Sequence, residues 1–231
     1  MANKKPLQWM SRIREFVFGM QDGVISTVGF LSGVQSAMED QKVVVIAGLA
    51  QILTGALSMG IGAYLSTKAE KEVLEGIQKG KEAGWQEEPY LAQEQLLRAF
   101  EEEGLRREEG YRIVTILTKN AEVFRRTFHE KVLGIGSAAA SRPVLAAGVM
   151  YLSFLVGGTF PISPYFFWIG KTALILSVAL SAAALFATGF FKGVLAKKSP
   201  WRSGLEFFLI ALISAMAGYG IGILLGIPTT G

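Results

Sequence analysis

The chain has 231 residues, 51% of them hydrophobic, and its 23 Lys and Arg against 19 Asp and Glu give a formal net charge of +4. Long uncharged stretches alternate with short charged ones, which excludes an ordinary water-soluble core and indicates a polytopic membrane protein. The chain has no cysteine, so disulfides, thiolate metal sites and a cysteine nucleophile are excluded. No basic stripe is interleaved with aromatic residues and no phosphate-binding loop occurs, so we expect neither nucleic-acid binding nor ATP-driven pumping.

Residues 1–67 are predicted to form a short interfacial helix over 6–15 and two membrane spans, at 16–38 and 43–67. An uncharged stretch of about 20 residues is long enough to cross a bilayer. Asp22 interrupts the first stretch and is the only acidic residue well inside any predicted span. Burying a carboxylate there costs roughly 2.5–3.5 kcal/mol or more, which makes Asp22 a candidate functional residue.

Residues 68–135 hold 14 of the 19 acidic residues, mixed with Lys and Arg, and are predicted to be a soluble helical insert without strands. Four helices are expected. The first runs over 70–83, the second begins at Pro89, the third is short and lies near 111–117, and the fourth covers 121–133. Gly84, Gly104 and Gly134 are predicted to end the first, second and fourth, because glycine readily adopts the left-handed conformation that follows many helices.

Residues 136–231 are predicted to contribute three more spans, at roughly 143–163, 171–192 and 206–225. The fold class is therefore all-α, with five transmembrane helices and a helical insert between spans 2 and 3. Positive charge clusters at the N-terminus and between spans 4 and 5, so the positive-inside rule places the N-terminus and the insert in the cytoplasm and the C-terminus outside. We expect an integral protein of a prokaryotic plasma membrane, with the first span retained rather than cleaved as a signal peptide.

Two motifs carry a resemblance to a known family. They are Gly19-x-x-Asp22-Gly23 in span 1 and Ser58-Met59-Gly60-x-Gly62-x-Tyr64-Leu65 in span 2. With the insert of about 70 residues that ends at Leu133-Gly134, the chain resembles the vacuolar iron transporter family of divalent metal/proton antiporters. The resemblance implies a homodimer with its ion path near the dimer interface. It also implies export of ferrous iron or manganese from the cytosol against protons, with no cofactor.

By the same resemblance, Asp22 corresponds to the family's intramembrane carboxylate and Met59 to its intramembrane sulfur ligand. Carboxylate oxygen suits borderline ions such as Fe²⁺ and Mn²⁺, and a thioether adds preference for transition metals over Mg²⁺ and Ca²⁺. A carboxylate binds a proton or a metal ion, so one Asp can exchange the two.

The chain also departs from the family pattern. Gln51 stands where plant and fungal members carry a glutamate, and an amide can ligate through oxygen but cannot take up a proton. The positions that match the family's metal ligands in the insert are Lys81, Gly84, Ala92, Gln95, Phe128, His129 and Val132. Of these only His129 is a plausible ligand, with Glu88 and Glu94 nearby as weak candidates, so we expect the insert to lack the metal cluster.

Each candidate also has a structural interpretation. Asp22 could bond backbone amides near a membrane edge, and Met59 could be ordinary packing. Gln51, Thr54 and Ser58 could line an ion path or form hydrogen bonds between helices. The acidic clusters of the insert are most simply solvated faces paired with Arg and Lys.

The leading hypothesis is a secondary transporter that exports Fe²⁺ or Mn²⁺ in exchange for protons and interacts with the lipid bilayer. The alternative is a non-transporting dimeric membrane scaffold or sensor whose insert binds a partner protein. An enzyme is not expected, because a di-iron site needs paired Glu-x-x-His motifs and the chain has one His.

Overall fold

The computed structural model describes residues 5–38, 40–134 and 142–225. Within these ranges the chain forms α-helices and one 3₁₀ turn at Ser163–Phe166. The helices are α1 (Lys5–Ala37), α2 (Gln41–Glu87), α3 (Pro89–Glu102), α4 (Arg107–Leu117), α5 (Ala121–Lys131), α6 (Pro143–Ile162), α7 (Gly170–Leu195) and α8 (Pro200–Leu225).

The predicted all-α class with five membrane-spanning helices is confirmed. Five segments are long and apolar enough to cross a bilayer: Arg12–Ala37, Gln41–Lys81, Pro143–Phe166, Gly170–Leu195 and Pro200–Leu225. The chain divides into two compact units. The first comprises Met1–Gln8 and Ser66–Arg142, and the second comprises Trp9–Leu65 and Pro143–Gly231. All five apolar segments contribute to the second unit, which we call the membrane unit; the first we call the insert unit.

Three helices differ from their predicted bounds, and one of them, α8, begins at Pro200 rather than near residue 206. Helix α1 runs unbroken from Lys5 to Ala37, so the predicted interfacial helix and first span are one helix. Helix α2 continues for 47 residues through the predicted break near residue 68 and past Gly84. Ion pairs between side chains four residues apart support this continuation, at 3.7 Å for Lys68–Glu72. The helix ends at Glu87 because Pro89 disfavours the helical conformation of the residue before it.

The core of the membrane unit consists of two apolar clusters. One joins α1 to α7 and α8, with Val24 and Leu185 fully buried. The other joins α1 and α2 to α6 and the following turn, and contains Leu31, Ile52 and Ile162. Several buried hydroxyls in this core donate to backbone carbonyls, as where the Ser177 hydroxyl donates to the Pro161 carbonyl at 2.7 Å. The helices therefore pack through an apolar interior in which buried hydroxyls satisfy carbonyl groups.

The insert unit has its own core, built from α3, α4 and α5 with the end of α2. Leu96, Leu97 and Phe128 are buried in it, and Trp85 of α2 packs edge-on to Phe128 with ring centroids 4.6 Å apart. The Asn120 side chain caps α5 by accepting from two backbone N–H groups. Helix α3 begins at Pro89 as predicted, and Gly104 and Gly134 adopt positive φ angles of 98° and 62° just beyond helix ends.

An exposed ion pair in the insert leads to a prediction about acid stability. Arg107 donates to both carboxylate oxygens of Glu94, at 3.0 and 3.1 Å, and this bonding lowers the pKa of Glu94 from 4.5. The unfolded chain therefore binds this proton more tightly, so the stabilisation is present above the unfolded pKa and is lost as pH falls through the lowered one. We expect Glu94→Gln to lower the thermal midpoint slightly at pH 7, with the difference from wild type vanishing as Glu94 becomes protonated.

The matched control is Glu102→Gln, which removes the same charge from an exposed position on the same helix. Thermal unfolding of the full-length protein in detergent, followed from pH 7 down to strongly acidic pH, measures both variants. Identical curves for the two variants at every pH would contradict the prediction.

Candidate functional site

Asp22 lies on α1 within the segment Arg12–Ala37 and is partly buried. Its neighbour Gly23 lies at a close approach of α1 to α6. A Cβ atom at Gly23 would collide with the carbonyl oxygen of Phe154 and lie 3.1 Å from the backbone nitrogen of Gly158. In turn, a Cβ atom at Gly157 would collide with the carbonyl oxygen of Met20. Asp22 therefore directly precedes a glycine at a backbone-to-backbone helix crossing, where any larger residue would force the helices apart.

Gln51 connects α2 to the same part of α1. Its amide oxygen accepts from the Thr27 hydroxyl at 3.0 Å, and its amide nitrogen donates to the Ser26 hydroxyl at 3.3 Å. Ser26 in turn donates to the backbone carbonyl of Asp22 at 2.6 Å. The chain of hydrogen bonds links Gln51 to the backbone of Asp22 and fixes the register of the two helices. Gln51 therefore forms hydrogen bonds between helices, which is one of the two roles that the sequence analysis considered for it; the other was lining an ion path.

The register also determines how Met59 lies relative to Asp22. Helices α1 and α2 are joined by a short connection and are antiparallel, with Thr27 opposite Gln51. Ideal helix geometry, at about 1.5 Å per residue, puts Met59, eight residues further along α2, near the level of Gly19 and about one turn from that of Asp22. Met59 is partly buried. The two candidate ligands therefore come from facing helices at similar depth.

Helix α6 lies against both of these segments. Its Phe154 contacts Gly23 through the carbonyl and packs its ring against Gly55 of α2, while Tyr151 packs against Gly60. One stretch of α6 thus lies beside both the Asp22 and the Met59 segments. The tertiary structure brings α1, α2 and α6 together, whereas the sequence predicted them as separate spans without their contacts.

Thr54 and Ser58 lie on a different part of the α2 surface. Both are exposed in the membrane unit, and the Thr54 hydroxyl donates to the carbonyl oxygens of Ala50 and Gln51 in its own helix. The neighbouring Leu57 and Ile61 are also exposed, at 53% and 58%. This face of α2 is therefore turned away from the rest of the chain.

Glu15 is a residue that the sequence analysis missed, because it assigned residues 6–15 to an interfacial helix. It lies in the apolar segment Arg12–Ala37 and is only 9% exposed. Its position seven residues before Asp22 puts both carboxylates on the same face of α1, about 10 Å apart along the axis. Glu15 is therefore a second carboxylate on the Asp22 face of α1, buried and three residues inside the start of the apolar segment. The signal in the sequence was the seven-residue spacing of the two acids.

The insert candidates are held in different surroundings. Glu94 is engaged by Arg107 as described above, and the His129 ring packs against Trp85 with centroids 5.7 Å apart. Glu88 is exposed and directly precedes α3. Among the described residues no three His, Asp, Glu or Cys side chains are grouped to hold a metal ion. Their arrangement therefore offers no metal cluster within the described part of the insert.

The fold and the site together define an integral membrane protein of five spans with a partly buried carboxylate inside the first. The VIT family model matches residues 13–223, and the chain belongs to this family, whose members are transporters rather than enzymes. The protein called vacuolar iron transporter 1 of Tulipa gesneriana is 27% identical over 210 residues, covering 90% of this chain and 85% of its own length. Vacuolar iron transporter 1 of Arabidopsis thaliana is 26% identical over 208 residues, covering 90% and 83%.

A more distant organism has a similar protein. The vacuolar iron transporter of Toxoplasma gondii is 27% identical over 225 residues, covering 92% of this chain and 74% of its own length. The resemblance inferred from the Gly19–Gly23 and Ser58–Leu65 motifs is confirmed, and it extends over most of the chain.

Proposed function

We propose that this protein exports Fe²⁺, Mn²⁺ or both from the cytosol in exchange for protons, with Asp22 as the exchange site. The observation that carries the proposal is the position of Asp22, a carboxylate inside a membrane span at the crossing of α1 and α6. An ionisable residue inside a span marks an ion pathway by default, because its burial opposes stability. Membership of the VIT family and the names of the iron-transporting relatives support a metal ion as cargo.

The exchange follows from the chemistry of the carboxylate. A metal ion and a proton compete for the same oxygen atoms, so binding of one releases the other. Met59 supplies a polarisable sulfur near the level of Asp22, which favours transition metals over Mg²⁺ and Ca²⁺. Gln51, already bonded to Ser26 and Thr27, holds the two helices together and can contribute an amide oxygen.

Topology and assembly complete the proposal. The N-terminus and the insert lie in the cytoplasm and the C-terminus outside, in the plasma membrane of a prokaryote. The protein acts as a homodimer, and the exposed hydroxyls of Thr54 and Ser58 on α2 lie at the ion path between the two copies. Polar groups on the outer face of a span favour a protein neighbour over lipid, which supports this placement.

A transport assay tests the proposal. Full-length protein is reconstituted in liposomes with an imposed pH gradient, and uptake of Fe²⁺, Mn²⁺, Co²⁺, Zn²⁺ and Mg²⁺ is followed together with internal pH. We expect uptake of Fe²⁺ or Mn²⁺ that depends on the gradient and moves protons in the opposite direction. Absence of flux for every metal would overturn transport and favour the membrane scaffold, whereas metal flux without proton movement would overturn the antiport mechanism.

Met59→Leu provides a prediction about selectivity. Leucine has a similar volume but no sulfur, so the packing is largely kept while the soft ligand is lost. We expect Fe²⁺ uptake to fall about tenfold while the ratio of Mg²⁺ to Fe²⁺ uptake rises, since a soft ligand favours transition metals. The matched control is Met216→Leu on α8, a methionine that is 74% exposed and should leave uptake unchanged. An unchanged metal preference in Met59→Leu would remove Met59 from the site.

A further inference from the structure

The turn between α7 and α8 concentrates positive charge where two spans meet. Four exposed cationic side chains lie between the end of α7 and the first turn of α8: Lys192, Lys197, Lys198 and Arg202. From residue 172 to 225 the only acidic residue is Glu206, so this stretch has a net charge of +3. Because the turn joins two apolar segments, its side chains lie at the depth of lipid headgroups whichever side of the membrane it occupies.

The backbone of the turn places a lysine where glycine is usual. The Lys198 N–H donates to the Gly193 carbonyl at 3.0 Å and the Lys197 N–H donates to the Val194 carbonyl at 3.2 Å, which is the Schellman ending of a helix. Lys197 takes the left-handed position of this motif, with a φ of 53°. A side chain is disfavoured in this conformation and glycine is not. The conformation of the turn therefore does not explain why this position holds a lysine.

Aromatic rings line the apolar side of the same turn. Trp201 is 70% exposed, and its ring packs against Phe186 and Phe190 with centroids 5.7 and 5.8 Å away. The Lys192 ammonium lies 4.7 Å from the centre of the Phe207 ring, which orients it at the edge of this cluster. Amphipathic rings of this kind sit at the boundary between headgroups and acyl chains.

The turn itself is tightly packed. A Cβ atom at Gly193 would lie 2.7 Å from the Cα atom of Pro200, which shows that the end of α7 and the start of α8 are in backbone contact. Helix α8 begins at Pro200, and the positive end of its dipole adds to the side-chain charges. No described carboxylate forms an ion pair with any of the four cations.

We infer that the α7–α8 turn binds the phosphodiester headgroup of an anionic phospholipid. Lys197, Lys198 and Arg202 contact the phosphate, and the lipid's acyl chains lie along the exposed rings of Trp201 and Phe191. The site is distinct from Asp22 and its role in binding lipid does not depend on the proposed transport reaction. The turn would thus bind one class of lipid specifically, in addition to the protein's general need for a bilayer.

The test measures lipid binding to the full-length protein in a neutral detergent. Native mass spectrometry is used to titrate phosphatidylglycerol, phosphatidylcholine and inorganic phosphate against wild type, Lys197→Gly and the triple variant Lys197→Gly, Lys198→Gln, Arg202→Gln. Each basic residue near an anionic surface contributes about a fivefold change in affinity, so the triple variant should lose roughly 100-fold toward phosphatidylglycerol. Phosphatidylcholine binding should be weak and unchanged by the substitutions.

The variant Lys197→Gly tests whether Lys197 binds the lipid or only stabilises the fold. Glycine suits the left-handed position, so this variant should have an equal or higher thermal midpoint while its affinity for phosphatidylglycerol falls about fivefold. The control is Lys171→Gln, which removes one positive charge from the opposite end of α7 and should leave the affinity unchanged. Equal binding of the two lipids by wild type, or unchanged affinity in Lys197→Gly, would overturn the inference. Inorganic phosphate binding as tightly as the lipid would overturn the assignment to a lipid.

Discussion

Asp22→Asn is expected to reduce gradient-driven Fe²⁺ and Mn²⁺ uptake in liposomes by about 100-fold or more, since even outer-shell changes cost 10- to 100-fold in metal affinity. The substitution removes the charge that binds the metal and the site that takes up the proton, while keeping almost the same shape. Proton movement coupled to metal uptake should disappear as well. No described hydrogen bond uses the Asp22 side chain, since Ser26 bonds to its backbone carbonyl, so the fold should be kept.

The chain offers a matched control for this experiment, because Asp40 is its only other aspartate. Asp40 is exposed in the connection between α1 and α2, where its carboxylate accepts from the Lys42 N–H at 2.8 Å. Asp40→Asn should transport at close to the wild-type rate. If Asp22→Asn also transports normally, the carboxylate is not the exchange site. Glu15, on the same face of α1, would then be the next carboxylate to substitute.

Gly157→Ala is expected to destabilise the membrane unit by about 2 kcal/mol, the typical cost of an overpacked interior. The added methyl group would collide with the Met20 carbonyl oxygen and lie 3.2 Å from the Val24 nitrogen, both of them backbone atoms of α1. Backbone cannot turn aside as a side chain can, so α1 and α6 must separate. Asp22 lies between these two contact points, so transport should fall together with the thermal midpoint.

Gly148→Ala is the control for this prediction, because it lies on the same helix α6 and a Cβ atom there meets nothing within 4 Å. Alanine is favoured over glycine inside a helix by roughly 0.5–1 kcal/mol, so this variant should be at least as stable as wild type. Thermal unfolding of both variants in the same detergent measures the difference. A midpoint for Gly157→Ala as high as that for Gly148→Ala would show that the α1–α6 crossing is not tight.

Much of the fold could be predicted because the bilayer constrains it so strongly. A span needs an uncharged stretch of about 20 residues, so five such stretches predict five spans with little dependence on other contacts. The continuity of α2 was missed because Gly84 and the change from apolar to charged residues resemble a helix end. Local ion pairs such as Lys68–Glu72 keep the helix intact there, and Pro89 stops it a few residues later.

The candidate site was only partly predictable for a related reason. Asp22 could be selected from the sequence because a charge inside an apolar stretch is conspicuous. Glu15 was not, because it stands near Arg12 and Arg14 in a segment whose position in α1 depends on where the helix begins. The role of Gln51 also needed the structure, since an amide inside a span gives no indication of which groups it will bond.

Hydropathy and short motifs are local properties of the chain, so the class, the number of spans, the family and the selection of Asp22 and Met59 could be obtained from the residues alone. The bonds of Gln51 to Ser26 and Thr27, the burial of Glu15 and the contact of α1 with α6 through Gly23 and Gly157 required the folded chain. Contacts between helices depend on their register and rotation. Both are set by the fit of small and large side chains from several helices at once.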